Sequence, residues 1–256
     1  MTQHQTRSID LNCDLGEGGP YDAELMQLVS SANIACGGHA GDADTMAAAV
    51  ALARQHGVAI GAHPGHAGQE NFGRRELPIT PAEAAALVTE QVAALEAVAG
   101  EPPRHIKMHG GLYHQAGRDV IVGAAIVRAI LVRWPTAVLI SFAGSPLVAV
   151  ARSRGLTVAE EAFIDRGYAA DGSLVPRSQP GAEIADPRLA ATRAARLVCE
   201  GVVEAIDGSL LPIAADTLCL HGDNVAAMTM AMAVREALHA KGVAIAPVER
   251  ADDASG

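Results

Sequence analysis

Half of the 256 residues are hydrophobic but only 3% are aromatic, and the formal net charge is −10. That length suits a single domain over 1–256 with a core of Ala, Val, Leu and Ile packed in many thin layers. The acid excess, with no clustered basic face, argues against a nucleic-acid footprint, and from the polar opening MTQHQTRS and the break at Arg128 in the apolar stretch 121–132 neither a signal peptide nor a membrane span is expected.

In chain order, short apolar runs at 9–14, 32–36, 58–63, 105–109, 138–142, 158–164 and 217–221 alternate with helical stretches, and 243–248 is an eighth strand or a surface tail. This is the pattern of βα units, so the expected fold is α/β, a distorted (β/α) barrel of about seven parallel strands. Asp42 is placed to cap the helix after the second strand. Thr80, Pro81 and Glu83 form a capping box, followed by Val88, Val92, Leu95 and Ala99 at helical spacing. Asp186 and Pro187 open another helix, and Gly57, Gly155 and Gly242 stand where helices end. HAGD at 39–42 and HGD at 221–223 each introduce a helix that leads to GVAI. Cys13, Cys36, Cys199 and Cys219 have neither close pairing nor metal-finger spacing and read as reduced thiols of a cytoplasmic protein.

The strand ends carry the chemistry: Asn12 and Asp14, Asn33 and His39, His63, Lys107 and His109, Ser141, Asp165 and Arg166, then His221 and Asp223. In a parallel barrel these ends share one rim, where active sites lie. Singly, each has a bland reading: Asp42 and Asp223 as helix caps, Lys107 as a snorkelling surface residue, a lone histidine as a bonded core group. Convergence from seven strands is the stronger signal. The FGRR loop at 72–75, which contains Arg74, is long enough to fold over the rim, as is 163–177 with Asp165, Arg166, Tyr168 and Arg177.

Two chemistries fit. Asp14, His39, His63 and His109 are candidates for a protein-held divalent metal, assembled from separate strands. Alternatively, Asp14 works as a base while Lys107 and an arginine neutralise developing negative charge. No GxxxxGK[ST] loop is present, so a nucleotide would rest on glycine-rich turns such as GEGG at 16–19, a motif that is more often an ordinary turn, and on helix N-termini.

The segments DLNCDLGEG, SSANIACGGHAGD, GVAIGAHPG with FGRR, HIKMHGGLYH, AGS at 143–145, DRGYAADGSLVPR, GA at 181–182 and DTLCLHGD run in order from Asp10 to Asp223. Together they resemble the LamB/YcsF family, described as the A subunits of prokaryotic 5-oxoprolinase. The resemblance implies a distorted barrel of the glycoside hydrolase/deacetylase kind. It also implies ATP-dependent ring opening of 5-oxo-L-proline to L-glutamate, with ATP and Mg as cofactors, alongside partner subunits B and C. On that reading Asp14 is the base, Lys107 and His109 stabilise a phosphorylated lactam oxygen, and His39 and His63 position groups or transfer protons. Asn12, Asn33, Arg74, Asp165, Arg166, His221 and Asp223 then bind substrate or nucleotide. The chain departs from the family pattern at Gly38 (usually phenylalanine), His66 (usually an aromatic such as tyrosine), Met108 (usually proline) and Gly111 (usually alanine), changes expected to alter the pocket lining. The alternatives are a metal-dependent amidohydrolase or deacetylase without ATP, and a non-catalytic lactam-binding subunit.

Overall fold

A computed structural model describes residues 7–222, 226–250 and 253. The strands are β1 (Ser8–Leu15), β2 (Ser31–Ala35), β3 (Ala59–His63), β4 (His105–Lys107), β5 (Val138–Phe142), β6 (Val158–Phe163), β7 (Val202–Glu204), β8 (Leu210–Pro212), β9 (Thr217–His221) and β10 (Ala244–Ile245). The helices are α1 (Asp22–Leu25), α2 (Ala43–His56), α3 (Pro81–Ala99), α4 (Gly110–Arg118), α5 (Val120–Arg133), α6 (Pro146–Ser153), α7 (Pro187–Glu200) and α8 (Ala227–Ala240). Strands β1 to β6 and β9 pair in parallel, and β1 pairs with β9 to close a seven-stranded barrel. The run at 243–248 is not an eighth stave: β10 pairs only with Ser8 and Ile9 at the start of β1. Val248 then packs with Val138, Ile140 and Ala159.

Local chemistry sets the helix ends as read from sequence. Thr80 and Glu83 make a reciprocal capping box at α3, and Asp42 does the same with Thr45 at α2. Gly57 closes α2 with a left-handed cap at φ 67°. Along α3, Ala84, Val88, Val92, Leu95 and Ala99 are the buried stripe. Truncating one of its large members to alanine costs about 2–5 kcal/mol. The hairpin β7–β8 was not anticipated; its signal is the Asp207-Gly208 turn, where Gly208 takes φ 85° and Asp207 accepts from the Ser209 amide.

Because strand side chains alternate, Leu11, Cys13 and Leu15 of β1 share one face, and Asp10, Asn12 and Asp14 share the other. The register sets Asp14 beside Asn33 and His221, and Asn33 beside Gly61. Asp10, Asn12 and Asp14 therefore line the barrel interior with Lys107, Glu161 and His105, all buried. Gly61 is what admits His105: a Cβ there would lie 1.9 Å from the His105 Nε2.

Candidate functional site

A polar column rises through the barrel. At its base, Asp10 accepts hydrogen bonds from Ser30, Ser31 and Thr217, at 2.7, 2.7 and 2.5 Å. Burial raises its pKa despite those bonds. Above it, Asn12 donates to Glu161 and Thr217, and Asn33 donates to Asn12 and Asp14. His105 Nε2 lies 2.8 Å from Asn33 Oδ1, and burial pushes this imidazole down to about 3.

Lys107 is the hub of the column. Its Nζ lies 2.9 Å from both Asp14 Oδ1 and Glu161 Oε1, 3.2 Å from Asn12 Oδ1 and 3.1 Å from Cys219 Sγ. Burial disfavours the ammonium, but Asp14 and Glu161 outweigh it and hold its pKa well above the ordinary lysine value. Burial likewise opposes the Asp14 carboxylate, and His63 and Lys107 overcome it, keeping Asp14 ionised well below the usual carboxylate range. Tyr113 donates its hydroxyl to Glu161 Oε2 at 2.7 Å, fixing the second acid.

At the rim, three histidines meet two carboxylates. His63 Nδ1 donates to the Lys107 carbonyl at 2.8 Å, and His109 Nε2 donates to the Phe72 carbonyl at 2.8 Å. The opposite nitrogens, His63 Nε2 and His109 Nδ1, stand 2.9 Å apart, and His63 Nε2 is 3.2 Å from Asp14 Oδ2. Glu17 Oε1 lies 2.8 Å from His39 Nε2 and 3.5 Å from His109 Nδ1. The His39 and His109 rings stack with centroids 3.6 Å apart. Burial, with the neighbouring imidazoles, drives His109 down to about 2, and burial drives His39 to about 4, so both are neutral at neutral pH. Phe72, which supplies the carbonyl to His109, has φ 58°, an unfavourable backbone for a non-glycine residue.

Across the rim, His221 donates its Nδ1 proton to Asp165 Oδ2 at 2.8 Å and its backbone amide to the same oxygen. Burial opposes the imidazolium, but Asp165 raises the His221 pKa, and His221 in return holds Asp165 low against its burial. A cavity of 520 Å³ opens here over Asp14, Glu17, His63, His109 and His221. Its wall carries Arg74, Arg118, Arg166 and Arg177.

The structure therefore brings Asp14, His63, His109, Arg74, Arg166 and His221 to one cavity. Asp165 lies directly behind His221. Corrections concern depth. Asn12, Asn33 and Lys107 lie beneath the cavity floor and not in its lining, because their polar ends are taken up by one another and by Asp14 and Glu161. Asn33 and Lys107 bond Asp14 directly, and Asn12 accepts from both of them. His39 is likewise fully buried, below Glu17. Arg166 is tied by its guanidinium to the Ala182 and Val175 carbonyls, so it also shapes the 163–177 connection. Asp223 lies outside the described residues. Among the four family departures only Met108 lines the cavity. At Gly38 a Cβ would meet Gln91 at 2.5 Å and the Gly65 carbonyl at 2.6 Å. Gln91 fills that space and bonds both the Gly65 amide and carbonyl. Gly111 allows the Arg75 backbone to approach α4, and His66 is buried against Gln115.

Sequence reasoning missed Glu17, Glu161, His105 and Tyr113. Glu17 sits in a glycine cluster read as a turn; a charged pair inside an apolar strand was the available signal for Glu161, but only register tells which of Glu160 and Glu161 points inward.

These features define a class: closed parallel β/α barrels whose strand ends present histidines and carboxylates to a rim cavity. The sequence profile of the LamB/YcsF family matches residues 9–253, and the chain belongs to that family. A protein from Heliobacterium modesticaldum, named as the A subunit of 5-oxoprolinase, is 49% identical over 245 residues, covering 93% of this chain and 96% of that one. The crystal structure of a lactam utilization protein from Thermus thermophilus superposes with a TM-score of 0.87 at 44% identity, over 94% of this chain and 100% of that one. A T48 deacetylase solved with substrate shares the fold alone, with a TM-score of 0.52 at 14% identity over 94% of this chain and 87% of that one.

Proposed function

We propose that this chain is the A subunit of a 5-oxoprolinase. It acts with partner subunits B and C in the ATP-dependent, hydrolytic opening of 5-oxo-L-proline to L-glutamate, with release of ADP and phosphate. The observation that carries the reading is the cavity floor: an ionised Asp14 held by Lys107 beside neutral imidazoles, under a wall of four arginines. The names of the two close relatives supply the substrate class.

A lactam C–N bond has partial double-bond character and resists water. Phosphoryl transfer to its oxygen makes the ring carbon electrophilic. Water then adds, the C–N bond breaks with the nitrogen taking a proton, and a second water hydrolyses the resulting γ-glutamyl phosphate. For this sequence the chain offers Asp14 Oδ2 at the floor to orient and deprotonate water, with His63 Nε2 3.2 Å away as a positioning group. His221, whose protonated form Asp165 favours, is placed to give a proton to the leaving nitrogen. The arginine wall gives the cavity a positive side toward the substrate carboxylate and phosphoryl oxygens, with Arg118 also paired to Glu76, Arg177 to Glu183 and Arg166 bonded to the Ala182 and Val175 carbonyls. Lys107 acts one layer down, keeping Asp14 anionic.

The test is reconstitution. The chain is mixed with its candidate partner subunits, and glutamate and ADP formed from 5-oxoproline are measured with each component omitted in turn. All three should be required, and Asp14→Asn should abolish glutamate formation while leaving the circular dichroism spectrum unchanged. Turnover by the partners without this chain, or full activity of the Asp14→Asn variant, overturns the proposal.

A further inference from the structure

Counting protons at the rim exposes a mismatch. A carbonyl oxygen only accepts, so His63 must carry its proton on Nδ1 toward Lys107, and His109 must carry its proton on Nε2 toward Phe72. In the neutral rings the two remaining nitrogens are both lone-pair acceptors, yet they face each other at 2.9 Å. Two anionic oxygens close the same space: Asp14 Oδ2 at 3.2 Å and Glu17 Oε1 at 4.0 Å from His63 Nε2. His39 Nε2 lies 2.8 Å from Glu17 and donates its ring proton to that carboxylate, since its buried Nδ1 has no partner; a cation would displace that proton. The two facing nitrogens therefore meet at a point that either a shared proton or a cation fills.

We infer that Glu17, His39, His63 and His109 form a binding site for one divalent transition-metal cation of the zinc class. Their ligand atoms all lie within 4.8 Å of one another. Four ligands held tetrahedrally at about 2.1 Å stand about 3.4 Å apart. Four of the separations here are 2.8, 2.9, 3.5 and 4.0 Å, a spread that brackets that spacing. Three imidazoles and one carboxylate are the donor set that such cations prefer over magnesium or calcium. His63 and His109 each donate the other ring N–H to a backbone carbonyl, the outer-shell contact that orients metal-ligating histidines. Glu17, His63 and His109 line the cavity, so a cation has an entry path. Glu17, outside the set expected from sequence, replaces Asp14 among the ligands; Asp14 keeps one oxygen on Lys107 and borders the site with the other.

The competing arrangement is a proton: His63 as imidazolium, its Nε2–H shared between His109 and Asp14. A titration of the full chain decides between the two. Chelator-treated protein is titrated with CoCl2 and, in competition, ZnCl2, followed by calorimetry and by the visible absorption of tetrahedral cobalt. One equivalent should bind, with the visible band appearing in step and the thermal midpoint rising with zinc. Glu17→Gln and His109→Gln should each weaken binding by about tenfold or more, and His66→Gln, outside the cluster, should not. No saturable binding at one equivalent, or binding unchanged by both cluster variants, overturns the inference. So does an NMR spectrum of nitrogen-labelled protein in which His63 keeps both ring protons after metal is added. None of these readouts uses glutamate formation, so the site stands or falls separately from the proposed activity.

Discussion

Replacing Lys107 by methionine keeps a long apolar stem but deletes the ammonium that sits 2.9 Å from each of two buried carboxylates. At an effective dielectric of about 20, each of these pairs amounts to about 6 kcal/mol. Removing the lysine also removes its own desolvation penalty of several kcal/mol, so the gross figure overstates the loss. The variant has one escape, which is to protonate one of the two acids. For a carboxyl of ordinary pKa near 4.3 that costs about 4 kcal/mol at pH 7. The expected loss of stability is therefore about 3–4 kcal/mol at pH 7, inside the range seen when one partner of a buried pair is removed. Because each pH unit is worth about 1.4 kcal/mol for one proton, the deficit relative to wild type should shrink by about 2.7 kcal/mol at pH 5. Urea denaturation of both proteins at the two pH values, followed by far-ultraviolet circular dichroism, measures it. Adding Glu161→Gln to the Lys107→Met background should recover much of the pH 7 loss. A deficit under about 1 kcal/mol at pH 7, or one of the same size at both pH values, refutes the account of Lys107 as the counter-charge of the barrel interior.

Two further outcomes follow from the same interior. Gly61→Ala places a methyl group where the His105 ring lies, so it should cost about 1–3 kcal/mol in urea denaturation. It should cost much less in a His105→Ala background, and equal costs in the two backgrounds would show that the clash is not the cause. The Asp165–His221 pair should give pH-dependent stability of definite sign. The raised His221 pKa contributes stability that is fully present below about pH 6.5 and is lost as pH rises through its folded value. The lowered Asp165 pKa contributes stability that is present above about pH 3.9 and is lost as pH falls through its folded value. Asp14 and Lys107 also face His221, the first raising its pKa and the second lowering it. Asp165→Asn should flatten the decline above pH 6.5 in urea midpoints, and an unchanged profile would remove the pair from the pH response.

The order of residues along the chain settles the alternation of apolar runs and capped helices, and hence a parallel barrel; no helix among the described residues is long and apolar enough to cross a membrane. It also settles that Asp14, His63, His109 and His221 meet, because C-terminal ends of parallel strands in one barrel share a rim. Capping at Thr80 and Asp42 was equally legible, since a cap is settled within four residues. Depth and partnership were not. Whether Lys107 reaches into the cavity or turns beneath it depends on Asp14 and Glu161, which come from strands far apart in the chain. Ring closure and register decide that Glu161 points inward, that His105 occupies the space over Gly61, and that a glutamate in a glycine-rich turn arrives among three histidines. Local pattern fixes which residues share a face of a strand; only the closed barrel decides what that face meets, because those contacts are made between residues that no local spacing relates.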